Sequence, residues 1–102
     1  MAVLHYTVTL SGAAQALSTL IIGRSIGKQI IFSADGANAN PVYLGGRDSG
    51  TISSSDYGFR VEKATTGVPP APTIIEAISI SPADFQVIGT NTEKLHVTVI
   101  SS

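Results

Sequence analysis

The chain contains no cysteine and no tryptophan, and charge is scarce. Six Lys and Arg stand beside seven Asp and Glu in 102 residues, 13% of the sequence against roughly 25% in an average soluble domain. Without cysteine there is no disulfide, no thiolate nucleophile and no Cys-based zinc site. A formal net charge of -1 offers no surplus of cations to neutralise phosphates, so no nucleic acid is expected as a partner. No apolar run approaches the ~18 residues of a membrane span, and Met1-Ala2-Val3-Leu4-His5 lacks the basic start and apolar core of a secretory leader. Both glycine-rich nucleotide motifs are missing. The four Asp and three Glu are scattered. The only two that share a face of one predicted strand, Asp56 and Glu62, lie about 20 Å apart along it, too far to share a proton. The inventory therefore predicts no enzyme, no cofactor and no catalytic residue.

What the sequence does contain is apolar and hydroxyl side chains. Hydrophobic residues make up 43%, and Ser and Thr number 22. That combination argues against disorder. It suits either a solvated β-sheet face or a surface destined for contact, because charge is depleted at the centres of interfaces. At 102 residues the chain is one domain with one small core.

The dominant period is two. Leu4, Tyr6, Val8 and Leu10 alternate with His5, Thr7 and Thr9; Tyr57, Phe59 and Val61 alternate with Asp56, Gly58, Arg60 and Glu62; Leu95, Val97 and Val99 oppose Lys94, His96 and Thr98. Such alternation predicts strands with one buried and one wet face. Further strands are expected at Lys28 to Ala34, Pro41 to Gly45, Thr73 to Ile80 and Asp84 to Gly89, each rich in β-branched or aromatic residues. Turn signals recur about every ten residues, at Ser11-Gly12, Gly23 with Gly27, Asp35-Gly36, Gly45-Gly46, Ser49-Gly50, Ser81-Pro82 and Gly89-Thr90-Asn91. Ala13 to Ile22 is the one helix candidate, read as a loop carrying a strand or a short helical turn. The pattern predicts an all-β fold: a small antiparallel β-sandwich or jelly-roll-like barrel of about seven to nine strands.

Three prolines in four residues, Pro69, Pro70 and Pro72, cannot lie inside a sheet, because each lacks an N–H. The segment 67–72 is either a crossover between sheets or an arm that reaches a neighbouring subunit. The only metal candidates are His5 and His96, whose imidazoles could meet if the first and last strands pair; no third ligand sits at a suggestive spacing, so no metal is expected. Asp35 to Asn40 reads as a turn and Arg47-Asp48-Ser49 as a charged loop tip. Glu62-Lys63 reads as a solvated pair, and Tyr43, Tyr57, Phe59 and Phe85 as core or sheet-face aromatics.

Three stretches resemble small structural proteins of tailed-bacteriophage virions. They are Ala37-Asn38-Ala39-Asn40-Pro41-Val42-Tyr43-Leu44-Gly45-Gly46, Ile52-Ser53-Ser54-Ser55-Asp56-Tyr57-Gly58-Phe59-Arg60-Val61-Glu62, and Phe85 through Gly89-Thr90-Asn91-Thr92-Glu93 to Ile100. Asn91-Thr92 departs from the pattern, where the last turn more often carries a glycine. The resemblance implies a structural role on the virion, as a cement or decoration protein on the capsid surface. Made in the host cytoplasm, it would bridge subunits of the major capsid protein, or other virion proteins, as a homodimer or homotrimer. A neck or tail component, or a carbohydrate-binding β-sandwich on a receptor-binding structure, is the alternative. The expected partner contacts are the loops and the proline segment: Asn38, Asn40, Pro41, Arg47, Asp48, Pro69, Pro70 and Pro72.

Overall fold

In the computed structural model, which describes residues 2–21 and 26–101, the alternating segments form strands and the turn formers lie between them. The strands in chain order are β1 (Val3–Thr9), β2 (Gln15–Ala16), β3 (Gly27–Ala34), β4 (Val42–Gly46), β5 (Phe59–Val61), β6 (Thr73–Ile80), β7 (Phe85–Ile88) and β8 (Lys94–Ile100). A single helical turn, α1 (Leu17–Leu20), follows β2, so Ala13 to Ile21 is a loop with a short strand and one turn of helix. The turn expected at Gly23, and Ile22 at the end of the helix candidate, lie outside the described residues.

All the strand pairs are antiparallel, and they form two four-stranded sheets in the orders β1-β8-β3-β6 and β2-β7-β4-β5. Consecutive strands lie in different sheets, so each connection crosses from one sheet to the other, with the exception of the link between β4 and β5. This is the strand order of an eight-stranded jelly roll, two Greek keys closed face to face.

Burial follows the period. From the first sheet Val8, Ile30, Phe32, Ala34, Leu95, Val97 and Val99 point inward, and from the second Val42, Leu44, Val61, Phe85 and Val87 do. The chain's three phenylalanines meet at the centre. The Phe32 ring lies 5.2 Å from Phe85, edge to face, and 5.8 Å from Phe59, tilted, joining the two sheets. Leu10, Leu17 and Ile21 fill the core from the loops.

The sheets are unequal. Strands of the first run seven or eight residues, those of the second two to five. Two expectations change as a result. Leu4 has inward parity but is 47% exposed, because the shorter sheet does not reach over it. Tyr57 does not share the inward face of Phe59 and Val61. The expected strand from Asp56 shortens to Phe59–Val61, because Ser53 and Asp56 close a tight turn with reciprocal backbone bonds of 2.8 and 3.2 Å.

Candidate functional site

The jelly roll sends its loops to two opposite ends. Residues 10–14, 35–41, 62–72 and 89–93 link strands at one end. Residues 47–58 and the turn at 81–84 link them at the other, where Ala2 and Ser101 also lie side by side, Ser101 donating its N–H to the Ala2 carbonyl at 2.9 Å. Asn38, Asn40, Pro41, Pro69, Pro70 and Pro72 therefore gather at the first end. Arg47 and Asp48 sit at the second, separated from them by the length of β4, about 16 Å for five residues. The eight expected contacts are not one surface.

Asn38 is a structural residue. It is only 7% exposed, its amide nitrogen donates to the Lys94 carbonyl at 2.7 Å, and its side-chain oxygen accepts from the Lys94 N–H at 3.0 Å. Around it, Glu93 accepts from the Ala39 N–H at 2.7 Å, and Asp35 accepts from the Ala37 N–H at 3.1 Å. The loop 35–40 is the expected turn, clamped to the start of β8. Asn40 remains exposed and Pro41 half-buried.

The same clamp includes His96. β1 and β8 do pair, but in a register that sets His5 opposite Thr98 and Thr7 opposite His96. His96 turns instead to Asp35, with Nε2 2.8 Å from Oδ1, and its Nδ1 lies 3.1 Å from the Thr7 hydroxyl. A carboxylate only accepts, so Nε2–H is the donor. Among the described residues no three His, Cys, Asp or Glu stand together to hold a metal ion.

The Asp35 carboxyl is held below its ordinary 3.8, first by the hydrogen bond from His96 and then by that from the Ala37 N–H. A folded value below the unfolded one stabilises the protein above about pH 4, and the gain disappears as pH falls through the folded value. On acidification below pH 4 the urea midpoint of the wild type is therefore expected to fall more steeply than that of Asp35→Asn. Equal slopes would refute the clamp.

At the other end Gln86 holds the loop tip, its amide donating to the carbonyls of Gly46 at 2.9 Å and Gly50. Arg47 and Asp48 project from it 3.6 Å apart, both exposed. In the proline segment, Thr65 and Val68 bond reciprocally around Gly67, whose φ of +76° suits only glycine comfortably. Pro69 and Pro72 are exposed and Pro70 is half-buried as the chain enters β6. Glu62 pairs with Arg60 rather than Lys63, and this holds the guanidinium pKa above its usual value.

The outer faces of the two sheets differ. On the second, the loop 47–58 folds back so that Ile52 sits where a Cβ on Gly45 would be, 2.6 Å from its Cγ2, which is why a glycine occupies this strand position. Tyr57 stacks obliquely on Tyr43 with ring centroids 4.7 Å apart. Beside them a groove of about 290 Å³ is lined by Asn40, Pro41, Tyr43, Ser54 and Thr90. Among the described residues no loop covers the first sheet in this way. Its outward positions include Val3, Ile31, Ile74 and Ile100, aligned by the register Val3–Ile100–Gln29–Glu76 and His5–Thr98–Ile31–Ile74. Sequence reasoning missed this face. The signal was Thr73 to Ile80, where apolar residues fall on both faces of one strand: Ile74 and Ile78 as well as Ile75 and Ala77.

No protein-family model, curated protein or solved structure matches the chain. No helix among the described residues is long and apolar enough to cross a membrane.

Proposed function

We propose that the chain is a structural protein of a tailed-phage virion, a cement protein on the capsid surface that bridges subunits of the major capsid protein. The strand order β1-β8-β3-β6 over β2-β7-β4-β5 carries this reading, since the jelly roll is an architecture of viral coat proteins, as it is of lectins and metal-binding cupins. The cupin branch is disfavoured by the scattered His, Asp and Glu side chains. Fold alone assigns no function; the three stretches that resemble phage virion proteins and the low charge of the chain, 13% of residues, add to it. The end bearing Asn40, Pro41, Pro69, Pro70 and Pro72 faces the shell, and Arg47 and Asp48 face away. Each bridge adds contacts that must break before a shell subunit leaves, and so raises shell stability in proportion to occupancy.

The test uses capsids that lack the protein. Added back, it is expected to bind saturably and to raise the temperature of genome release. Deleting 66–71 is expected to abolish binding while Arg47→Ala with Asp48→Ala leaves it intact. Absence of saturable binding would overturn the cement reading in favour of a neck or tail position. The groove beside Tyr43 and Tyr57 favours a second reading, a carbohydrate-binding module; saturable binding to host-surface glycans but not to shells would establish it.

A further inference from the structure

Thr19 and Ser101 give their hydroxyls to backbone carbonyls, and Ser53 pairs with Ser55. Thr7 differs, because its Oγ1 lies 3.1 Å from a ring nitrogen, Nδ1 of His96. His96 holds Asp35 through its other nitrogen, with Nε2 2.8 Å from Oδ1. A carboxylate only accepts, so in the neutral ring the proton sits on Nε2 and Nδ1 carries the lone pair. The Thr7 hydroxyl therefore donates to a base. Hydroxyl, imidazole and carboxylate stand in series, each within hydrogen-bond reach of the next, which is the arrangement that activates a hydroxyl nucleophile. The two ring nitrogens are exchanged relative to the serine-protease triad, and the roles of base and orienting group are unchanged.

The fold fixes all three members. β1 and β8 pair with Thr7 directly opposite His96 on the outward face of the first sheet, which holds their Cβ atoms about 4.5–5.5 Å apart. Asp35 follows the last residue of β3, and its second oxygen, Oδ2, accepts from the Ala37 N–H at 3.1 Å, so the carboxylate cannot swing away. β1 is an edge strand and Thr7 is exposed. Water could satisfy its hydroxyl, so burial does not demand the bond to His96, and a reagent can reach Oγ1. The next outward residue of β8, Lys94, stands opposite Thr9 and diagonal to Thr7. Its ammonium is the cation placed to offset negative charge on an acyl oxygen at Thr7. We propose that Thr7 is a nucleophile, a site where the chain takes up an acyl group from an activated ester, with His96 as general base and Asp35 as the residue that positions the ring. Oγ1 attacks the ester carbonyl carbon as its proton passes to Nδ1. The bond to the leaving alcohol breaks, and the alcohol departs with that proton. The products are the Thr7 ester, the free alcohol and neutral His96.

This site does not depend on the cement reading and is tested without shells. The whole chain is treated with p-nitrophenyl acetate at about pH 8, where an ordinary imidazole is neutral, and acetylated residues are located and timed by peptide mass spectrometry. Thr9, also exposed and two residues along the same strand, is the internal reference. Acetyl is expected to accumulate on Thr7 at least about a hundredfold faster than on Thr9, the contribution of a positioned general base. His96→Gln separates chemistry from structure. Its amide can donate to Asp35 and accept from Thr7 but is no base, so Thr7 is expected to fall to the level of Thr9 while circular dichroism and the thermal midpoint stay near those of the wild type. Thr7→Ser is expected to keep the fast labelling. Asp35→Asn is expected to slow it at least about tenfold, and Asp35→Glu, which restores a carboxylate, to regain most of the rate. The comparison of Thr7 with Thr9 needs no variant and so stands even if His96→Gln fails to fold. Thr7 labelled no faster than Thr9, acetyl resting on His96 in place of Thr7, or fast labelling that survives in folded His96→Gln would overturn the proposal. An unchanged rate in Asp35→Asn would overturn the role given to Asp35.

Discussion

Replacing Phe32 by alanine is expected to lower the unfolding free energy by about 3–5 kcal/mol, the largest effect of any single truncation in the chain. Phe32 is wholly buried and is the first sheet's contribution to a triangle whose other two corners, Phe59 and Phe85, belong to the second. Its loss leaves a cavity between two sheets that are each pinned by their own hydrogen bonds, so neither can collapse to fill it. It also removes two aromatic contacts, each contributing about 0.5–1.5 kcal/mol beyond area. A domain of this size has a total stability of about 5–15 kcal/mol, so the variant is expected to be substantially unfolded at moderate urea concentrations where the wild type is native. Phe32→Leu, which keeps most of the volume, is expected to lose less than half as much. A Phe32→Ala unfolding free energy from urea titration within about 1 kcal/mol of wild type would show that the sheets do not depend on this contact.

Asn38→Ala is expected to be the costliest change in any loop, at about 1–3 kcal/mol. The side chain serves as both donor and acceptor to one residue's backbone, the N–H and C=O of Lys94; truncation leaves the N–H without this partner at about 1–3 kcal/mol, while the carbonyl keeps the Asp35 N–H at 3.2 Å. Asn38→Asp separates the two bonds. A carboxylate still accepts from the Lys94 N–H but turns a lone pair toward the Lys94 carbonyl, so the variant is expected to remain clearly destabilised at neutral pH. Thermal unfolding of the two variants beside Asn40→Ala, an exposed neighbour expected to be neutral, measures this. If Asn38→Ala unfolds with the wild type while losing a partner's binding, Asn38 is a contact residue after all.

That contrast marks the boundary of what the sequence discloses. The strands were legible because an antiparallel sheet with one wet face writes its geometry at period two. Val8, Val61, Leu95, Val97 and Val99 are buried where the alternation puts them. β2 was barely legible, since Gln15 and Ala16 are a strand only by pairing with Val87 and Gln86, and two residues hold no period. Asn38 was legible as a loop residue but not as a buried one: its partner is 56 positions away, and only the folded topology brings β8 beside the loop. The separation of Arg47 and Asp48 from the proline segment has the same origin. Both are exposed and polar or rigid, and nothing local says that β4 holds them apart. The exposed face of β6 was written in Thr73 to Ile80, but an apolar run on both faces reads equally well as a doubly buried strand. The departure at Asn91-Thr92 has a structural counterpart. Thr92 adopts φ +70°, the left-handed region that a glycine would occupy without strain, held there by its N–H to the Leu10 carbonyl at 2.9 Å.

The order β1-β8-β3-β6 also dictates when the molecule can be made whole. β8 lies between β1 and β3, so the two strands synthesised early have no direct contact with each other across the first sheet and wait for Lys94–Ile100 to enter the gap. A growing chain emerging from the ribosome thus holds both β1 and β3 as open edges until β8 exists. Assembly is completed by insertion rather than by addition, and the ladder that closes it joins residues 3 and 100. Folding of this kind falls in the slow, millisecond-to-second regime of non-local sheets. During that interval the nascent protein, not the finished one, presents the surface most open to mispairing with its neighbours on the same message.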